Sequence, residues 1–200
     1  MSEHYYSQTP SSSSNPQIWN YTLRGHEFIF TTDRGVFSKR EVDFGSRLLI
    51  ETFEEPAIEG NFLDVGCGYG PIGLAVAKSF PDRKIEMIDI NERAIELASR
   101  NRQLNQIDNA TVYQSDLFEQ VENKEFAAIL TNPPIRAGKK VVYSIFEQSI
   151  LHLLPNGELW VVIQKKQGAP SALEKLQSLF AEVEVVTKKK GYYIIKAKKD

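Results

Sequence analysis

The 200-residue chain has few of the features of a secreted, membrane-spanning or metal-binding protein. It contains one cysteine, Cys67, so no intramolecular disulfide can form, and this fits a reducing cytoplasm. It has no apolar run of about 18 residues and no apolar signal-peptide segment at the N-terminus. Its three histidines are scattered, without the spacing of metal ligands. We therefore expect a cytoplasmic protein that binds no metal.

The chain also lacks a strong excess of charge of either sign. It has 24 basic and 26 acidic residues, for a formal net charge of −2. Any nucleic-acid surface must therefore be a local basic patch. Hydrophobic residues make up 42% of the chain, which is enough to fill the core of one α/β domain with a small N-terminal extension.

Composition and periodicity predict three segments. Residues 1–16 are rich in Ser, Pro and Asn and are predicted to be a disordered tail. Residues 17–59 are predicted to be an N-terminal extension packed on the main domain, with a possible strand at 27–31 and a helix at 43–53. In residues 60–200, strands are predicted near 61–65, 84–89, 110–114, 126–131, 158–163, 183–187 and 192–197. Helices are predicted near 72–80, 91–104, 140–153 and 170–180. This alternation indicates an α/β, Rossmann-like, doubly wound sheet of seven mostly parallel strands, ending in an antiparallel hairpin.

A glycine-rich loop follows the first strand of that sheet. Asp64 precedes glycines at alternate positions, Gly66, Gly68 and Gly70, and a helix follows. Glycine lets a backbone turn tightly and approach a ligand at the helix N-terminus. A dinucleotide fingerprint would require glycine at position 71, which is Pro71. The carboxylate at position 64 would repel phosphate and suits a cationic ligand.

The Asp-x-Gly-x-Gly-x-Gly pattern resembles motif I of the class I S-adenosylmethionine (SAM) methyltransferases, whose fold has the same sheet with a C-terminal antiparallel hairpin. The resemblance implies SAM as the cofactor and S-adenosylhomocysteine as the product, with Asp64, Gly66, Gly68 and Gly70 as cofactor-binding residues that position the methionine part of SAM. Asp89 ends the second strand, is followed by Ile90, and together with it would bind the ribose hydroxyls; the alternative for Asp89 is a helix N-cap. Asp116 would receive the adenine amino group and Leu117 would pack on the ring. Otherwise Asp116 is an ordinary turn aspartate.

The sequence Asn132-Pro133-Pro134 follows the fourth strand and resembles motif IV of amino-group methyltransferases. Two prolines fix the backbone and remove two donors, which leaves rigid carbonyls beside the Asn132 amide. An NH₂ group can donate to the Asn132 side-chain oxygen and to the Pro133 carbonyl, and methyl transfer then needs little beyond positioning. The alternative is a proline turn that ends a strand.

The next residue departs from that motif, because Ile135 stands where those families place an aromatic residue that stacks on the target. Either Ile135 provides an apolar platform, or another aromatic residue stacks, for which Phe37 is the candidate. The segments 32–38 and 43–46 resemble those that precede the catalytic domain in bacterial small-subunit ribosomal RNA guanine-N2 methyltransferases. This resemblance alone implies that Phe37 and Ser38 belong to the pocket. Larger members of that family carry a further, degenerate methyltransferase-like domain before the catalytic one, and we expect no such domain in these 200 residues.

Basic residues cluster after three of the predicted strands. They are Arg136, Lys139 and Lys140 after the fourth, Lys165 and Lys166 after the fifth, and Lys188, Lys189 and Lys190 after the sixth. The predicted topology brings these clusters to the edge of the sheet where ligands bind, which favours contacts to RNA phosphates. Solvated loop lysines are the alternative.

We expect a SAM-dependent methyltransferase that acts on an exocyclic amine of RNA, with guanine N2 in 16S ribosomal RNA of the small subunit as the leading target. Asn132, Pro133 and Pro134 are the candidate catalytic residues. Ile135, Arg136, Lys139 and Lys140, with Phe37 and Ser38, are candidates for substrate binding. Two alternatives stay open: a protein glutamine N-methyltransferase, and a non-catalytic RNA-binding module with a vestigial SAM site.

Overall fold

The computed structural model describes residue 8, residues 13–36 and residues 41–200. In this part of the chain there are nine strands and five α-helices. The strands are β1 (Gln17–Leu23), β2 (His26–Thr32), β3 (Asn61–Val65), β4 (Ile85–Asp89), β5 (Ala110–Gln114), β6 (Phe126–Thr131), β7 (Leu153–Gln164), β8 (Glu182–Lys189) and β9 (Tyr192–Lys198). The helices are α1 (Phe44–Thr52), α2 (Pro71–Ser79), α3 (Glu92–Leu104), α4 (Lys139–His152) and α5 (Ala169–Leu179).

Seven of the strands form one sheet in the order β5-β4-β3-β6-β7-β9-β8. The strands β3 to β7 pair in parallel, and β9 is antiparallel to both β7 and β8. The chain leaves β3 for β4 and β5 on one side and returns to β6 on the other. The direction of winding therefore switches between β3 and β6, and a crevice opens there at the carboxyl ends of the strands.

The central strands are buried on both faces, as is typical of a parallel sheet. Phe62 and Leu130 point to a core covered by the β1–β2 hairpin and the helices α1, α2 and α3. Leu63 and Ile129, one position away on the same strands, point to a second core covered by α4 and α5. The helices on the two faces thus hold the sheet in place and leave its carboxyl edge open.

The N-terminal strands β1 and β2 form a separate antiparallel hairpin. Arg24 and Gly25 join them with φ values of 50° and 75°, the mirror-image turn that matches the twist of a hairpin. The buried Asn101 of α3 accepts from Thr31 N–H at 2.6 Å and donates to Thr31 O at 2.9 Å. Asn105 binds the backbone of Ile29 in the same way, with both distances 2.8 Å. These amides fasten the hairpin to α3.

The α/β fold expected from the sequence is confirmed, with each predicted strand and helix of the main sheet found within a few residues of its expected bounds. Strand β1 was not predicted, although Trp19, Tyr21 and Leu23 alternate with exposed residues.

In the expected tail, Ser14 Oγ and Asn15 N–H donate to the Asp33 carboxylate at 2.7 and 2.6 Å, so the end of the tail is anchored. The division at residues 16 and 59 stays a prediction. No helix in the described ranges is long and apolar enough to span a membrane.

Candidate active site

Three loops meet at the crevice between β3 and its neighbours: the glycine-rich loop after β3, the turn after β4 and the loop after β6. They line two adjoining cavities, which share Gly66, Asp89 and Asn132. The smaller, of about 410 Å³, is here called the apolar cavity, and the larger, open one of about 880 Å³ is called the cleft. The sheet order thus brings together Gly66 and Asn132, which lie 66 positions apart in the sequence.

The glycine-rich loop is shaped by backbone conformations that side chains disfavour. Gly66 and Gly68 have φ values of 74° and 57°, and both line the cleft. A Cβ atom built on either would meet nothing within 4 Å, so their surfaces open onto free space. Gly70 instead begins α2 with a φ of 103° and packs against Leu74 and Met87. It supports the loop from beneath and lines neither cavity as the described residues form them.

Asp64 is almost fully buried under this loop. Its Oδ2 accepts from Gly73 N–H at 2.8 Å, and its Oδ1 meets no donor in the described part of the chain. Burial raises the pKa of Asp64 to about 7, and the negative charge of Asp89 adds to this increase. Asp64 lies outside the lining of both cavities, so the geometry makes it a support for the start of α2.

Asp89 ends β4 and faces both cavities. Its Oδ2 accepts from Gly68 N–H at 2.8 Å and its Oδ1 accepts from Asn91 N–H at 2.9 Å. Burial raises the pKa of Asp89, although these backbone donors stabilise the ionised form. The N-cap of α3 is Asn91, whose side chain accepts from Ala94 N–H at 3.2 Å. The capping role considered for Asp89 is thus filled by Asn91.

The apolar cavity extends from Asp89 between strand ends and α4. Ile90, Leu117 and Pro134 line it, together with the buried Ser115. Leu117 adopts a φ of 50°, which turns the chain sharply after β5, and Ser115 Oγ donates to Leu117 O at 2.8 Å. Asp116 is exposed and does not line this cavity as the described residues form it. Its role in binding adenine stays a prediction.

Asn132 follows the fully buried strand β6 and lines both cavities. Its Nδ2 donates to Ser46 Oγ at 3.0 Å and to Asp43 Oδ2 at 3.3 Å. Among the described residues, nothing donates to its Oδ1 or to the carbonyl of Pro133, which lines the cleft. Pro134 O, by contrast, accepts from Ala137 N–H at 2.9 Å. Beside the glycine-rich loop there are thus two acceptors that have no donor in the described part of the chain.

The candidate substrate residues are only partly brought to the cleft. Ile135 and Arg136 line it, whereas Lys139 and Lys140 are exposed in the first turn of α4. Lys139 Nζ lies 5.1 Å from the centre of the Tyr143 ring. Phe37 and Ser38 fall outside the described residues, next to Val36, which lines the cleft.

The three basic clusters lie at the carboxyl edge of the sheet, as the topology predicted. Strand β8 runs parallel to β7, so the turn after β8 lies at the same edge as the turn after β7, and Lys165 N–H donates to Gly191 O at 2.8 Å. Eight exposed cations, here called the basic edge, lie after β6, β7 and near the end of β8, at the edge of the sheet where the cleft opens. They are Arg136, Lys139, Lys140, Lys165, Lys166, Lys188, Lys189 and Lys190.

Several cleft residues were not singled out from the sequence as parts of the site. Asp43 and Ser46 reach it from the start of α1, and Gln167 reaches it from the short 3₁₀ turn after β7. Asp43 is the N-cap of α1 and accepts from Ser46 N–H at 3.0 Å, a spacing that marks helix starts. Cys67 also lines the cleft, and burial raises the pKa of its thiol well above its usual value, so it is no nucleophile at neutral pH.

Comparison with known proteins decides the family. The family profile described as methyltransferase small domain matches residues 27–196. The chain belongs to the methyltransferase small domain family. This membership confirms the expected enzyme class, a SAM-dependent methyltransferase, and its cofactor.

Relatives of this methyltransferase fall into two length classes. The uncharacterized protein YbxB of Bacillus subtilis is 68% identical over 200 residues and is matched along the whole of both chains. The ribosomal RNA small subunit methyltransferase C of Vibrio cholerae is 35% identical over 180 residues, which are 88% of this chain and 51% of the relative. The chain therefore spans about half the length of that enzyme.

Solved structures confirm the class I methyltransferase fold. The 16S rRNA N2 G1207 methyltransferase of T. thermophilus, solved with AdoMet and guanosine, has a TM-score of 0.83 at 23% identity. The match covers 96% of this chain and 52% of that one. A methyltransferase from Pyrococcus furiosus has a TM-score of 0.65 at 22% identity, over 76% of this chain and 81% of that one.

Proposed function

We propose that this methyltransferase transfers a methyl group to an exocyclic amine of RNA, with guanine N2 in 16S ribosomal RNA as the target. The observation that carries the proposal is a pair of acceptors, Asn132 Oδ1 and Pro133 O, to which no described residue donates, beside the loop of Gly66 and Gly68. An NH₂ group has two hydrogens and can donate one to each acceptor.

The cavities fit the methyl donor. The apolar cavity, lined by Ile88, Ile90, Leu117 and Pro134, suits a flat aromatic base, and the Asp89 carboxylate at its mouth suits the vicinal hydroxyls of a ribose. The free space above the two loop glycines suits the aminoacyl part. Asp116 is proposed to meet the edge of the adenine. When bound, SAM supplies an electrophilic methyl carbon on a sulfonium.

The residues around Asn132 contribute position rather than acid–base chemistry. The amine lone pair forms the new N–C bond while the C–S bond breaks and its electron pair goes to sulfur. The nitrogen then loses a proton to solvent. Asn132 Oδ1 and Pro133 O accept the two amine hydrogens. These bonds draw the nitrogen lone pair out of conjugation with the ring and direct it towards the methyl group of bound SAM. Ile135 provides an apolar contact for the base.

RNA is favoured over protein as the acceptor by the basic edge. Its eight exposed cations lie at the edge of the sheet where the cleft opens, and a patch of this kind matches a phosphate backbone. The names of the relatives agree, since the Vibrio cholerae and T. thermophilus proteins are both described as methyltransferases of small-subunit or 16S ribosomal RNA. A guanine inside a helix must leave its stack to reach the cleft.

Labelled SAM tests the proposal directly. The protein is incubated with tritiated SAM and with 30S subunits, 50S subunits or protein-free 16S RNA from cells that lack the gene. We expect label in 16S RNA, recovered as N2-methylguanosine after digestion, and none with Asn132→Ala. Label in protein would favour the glutamine N-methyltransferase. Measurable SAM binding without label in any acceptor would favour the non-catalytic module.

A further inference from the structure

The side-chain amide of Asn132 donates hydrogen bonds to two residues at the start of helix α1. Both of its hydrogens are taken, one by Ser46 Oγ at 3.0 Å and one by Asp43 Oδ2 at 3.3 Å. These partners lie 86 and 89 residues before Asn132 in the sequence. The contact therefore depends on how α1 packs on the sheet.

Only one orientation of this amide is compatible with its neighbours. If the amide were turned over, Asn132 Oδ1 would face a carboxylate oxygen that has no hydrogen to donate, and the two oxygens would repel. The amide nitrogen would then face the cleft. The carboxylate of Asp43 therefore selects the orientation in which Oδ1 points away from α1, towards the cavities that Asn132 lines.

The two partners are themselves fixed. Asp43 Oδ2 also accepts from Ser46 N–H at 3.0 Å, so the capping bond keeps this oxygen in place. Ser46 is only 4% exposed. Further along α1, Leu49 and Ile50 are fully buried, and the adjoining Phe53 packs edge-on against Trp160. A rigid helix start is what a precise catalytic geometry needs.

We propose that Asp43 and Ser46 are positioning residues that lock Asn132 as a hydrogen-bond acceptor. This rests on the proposed function, in which Asn132 contacts the methyl acceptor. A locked acceptor makes the site selective for nitrogens that carry hydrogen, such as exocyclic amines and amides. It disfavours ring nitrogens that offer only a lone pair, because their lone pair would face the lone pairs of Asn132 Oδ1 and Pro133 O.

Variants at position 43 distinguish the contact that fixes Asn132, here called the lock, from the capping of helix α1. In Asp43→Ser the hydroxyl can still cap α1 but is too short to reach Asn132. In Asp43→Asn a side-chain oxygen in the place of Oδ2 can still serve both Ser46 N–H and Asn132. We expect kcat to fall in Asp43→Ser and to be largely restored in Asp43→Asn, with similar thermal stability in both.

The double variant Asp43→Ser, Ser46→Ala removes both acceptors of the Asn132 amide. We expect kcat to fall by about tenfold to a hundredfold, with the KM for RNA and the Kd for SAM changing little. The matched control is Ser144→Ala, which removes the same kind of bond, from Gln148 Nε2 to Ser144 Oγ at 2.8 Å, within α4. A double variant with wild-type kcat, or an Asp43→Asn variant as impaired as Asp43→Ser, would overturn the proposal.

A second readout does not depend on activity. The side-chain amide signals of Asn132 in a nitrogen-15 spectrum are identified by their loss in Asn132→Ala. In the free protein we expect their hydrogens to exchange slowly with solvent, and faster in the double variant. Equal exchange in both proteins would refute the lock even if no acceptor is methylated. Slow exchange in a protein that methylates nothing would leave the lock standing and refute only the proposed function.

Discussion

The carboxylate of Asp89 holds the backbone of Gly68, with Oδ2 accepting from its N–H at 2.8 Å. The same side chain lines both cavities at the end of β4. Asp89 therefore has two roles that the sequence pattern does not separate. It fixes the glycine-rich loop, and it presents charge to whatever enters the cavities. Its removal should affect the cofactor site through both.

We predict that Asp89→Ala weakens SAM binding by about tenfold to a hundredfold, the range expected for losing hydrogen bonds to a charged acceptor. The ribose would lose its acceptor, and the N–H groups of Gly68 and Asn91 would lose theirs. Isothermal titration calorimetry measures the change. Asp116→Ala is the comparison and should have a smaller effect, because its exposed side chain supports no part of the loop. An unchanged Kd for Asp89→Ala would refute the ribose assignment.

A second prediction concerns the chemical step. Asn132→Ala should leave SAM binding nearly intact and lower the rate of methyl transfer by about 100-fold or more, because the amine loses one of the two acceptors that aim it. Single-turnover measurements on RNA report this rate apart from product release. Asn123→Ala, which removes an amide from an outlying loop, should behave as wild type. A near-normal rate in Asn132→Ala would exclude it as a catalytic residue.

More of the residues predicted to bind the cofactor line the two cavities than of those predicted to bind the substrate. Asp89 is the last residue of one strand and Asn132 follows another, and in a parallel sheet all such positions come to one edge, so the alternation of strands and helices brings them together. The direction of a side chain in a loop depends instead on local dihedral angles. The turn at Leu117 leaves Ser115 in the cavity lining and Asp116 in solvent, which no strand pattern specifies.

The contact of Asp43 and Ser46 with Asn132 could not be predicted for a different reason. The capping signal at Asp43 identifies the start of a helix, but not the element that the helix start approaches. That is decided by the packing of α1, whose residues Leu49 and Phe53 are buried in the core on one face of the sheet. Such long-range placement follows from the tertiary fold and not from local spacing.

A third prediction concerns stability and pH. The pKa of Asp64 is about 7 in the folded protein, against 3.8 for the ordinary group, so the folded state binds this proton more tightly than the unfolded state. Protonation of Asp64 therefore stabilises the folded state fully below about pH 4, and this stabilisation is lost as the pH rises to about 7. Each unit of difference between the folded and unfolded pKa corresponds to about 1.4 kcal/mol of unfolding free energy.

Asp64→Asn should remove this dependence, because the amide does not titrate and its oxygen can still accept from Gly73 N–H. Urea unfolding at pH 4.5, 6 and 7.5 gives the unfolding free energies of wild type and Asp64→Asn. The change with pH in the difference between them measures the contribution of Asp64. We expect the unfolding free energy of Asp64→Asn to increase relative to that of wild type as the pH rises. The exposed Asp82→Asn variant controls for the lost charge. If the unfolding free energies of Asp64→Asn and wild type change with pH in the same way, Asp64 is ionised in the folded protein at all three pH values.

The last prediction concerns the basic edge. Neutralising Lys165 and Lys166, which follow β7 beside the cleft, should weaken RNA binding and make it less sensitive to salt. Each phosphate contact to a single strand contributes about 0.7 to the slope of log K against log salt, so two lost contacts should lower the slope by about 1.4.

The matched control is the pair Lys84 and Lys124, which are equally exposed but precede β4 and β6 at the opposite edge of the sheet. Their replacement by alanine should leave the slope unchanged, since the cleft opens on the other side. Fluorescence anisotropy with a labelled 16S fragment between 50 and 300 mM KCl gives both slopes. If the two pairs of variants have the same effect, the lysines after β7 act only through the net charge of the protein. The orientation of RNA on this edge would then have to come from Arg136, which lines the cleft, and from the cations of the turn after β8.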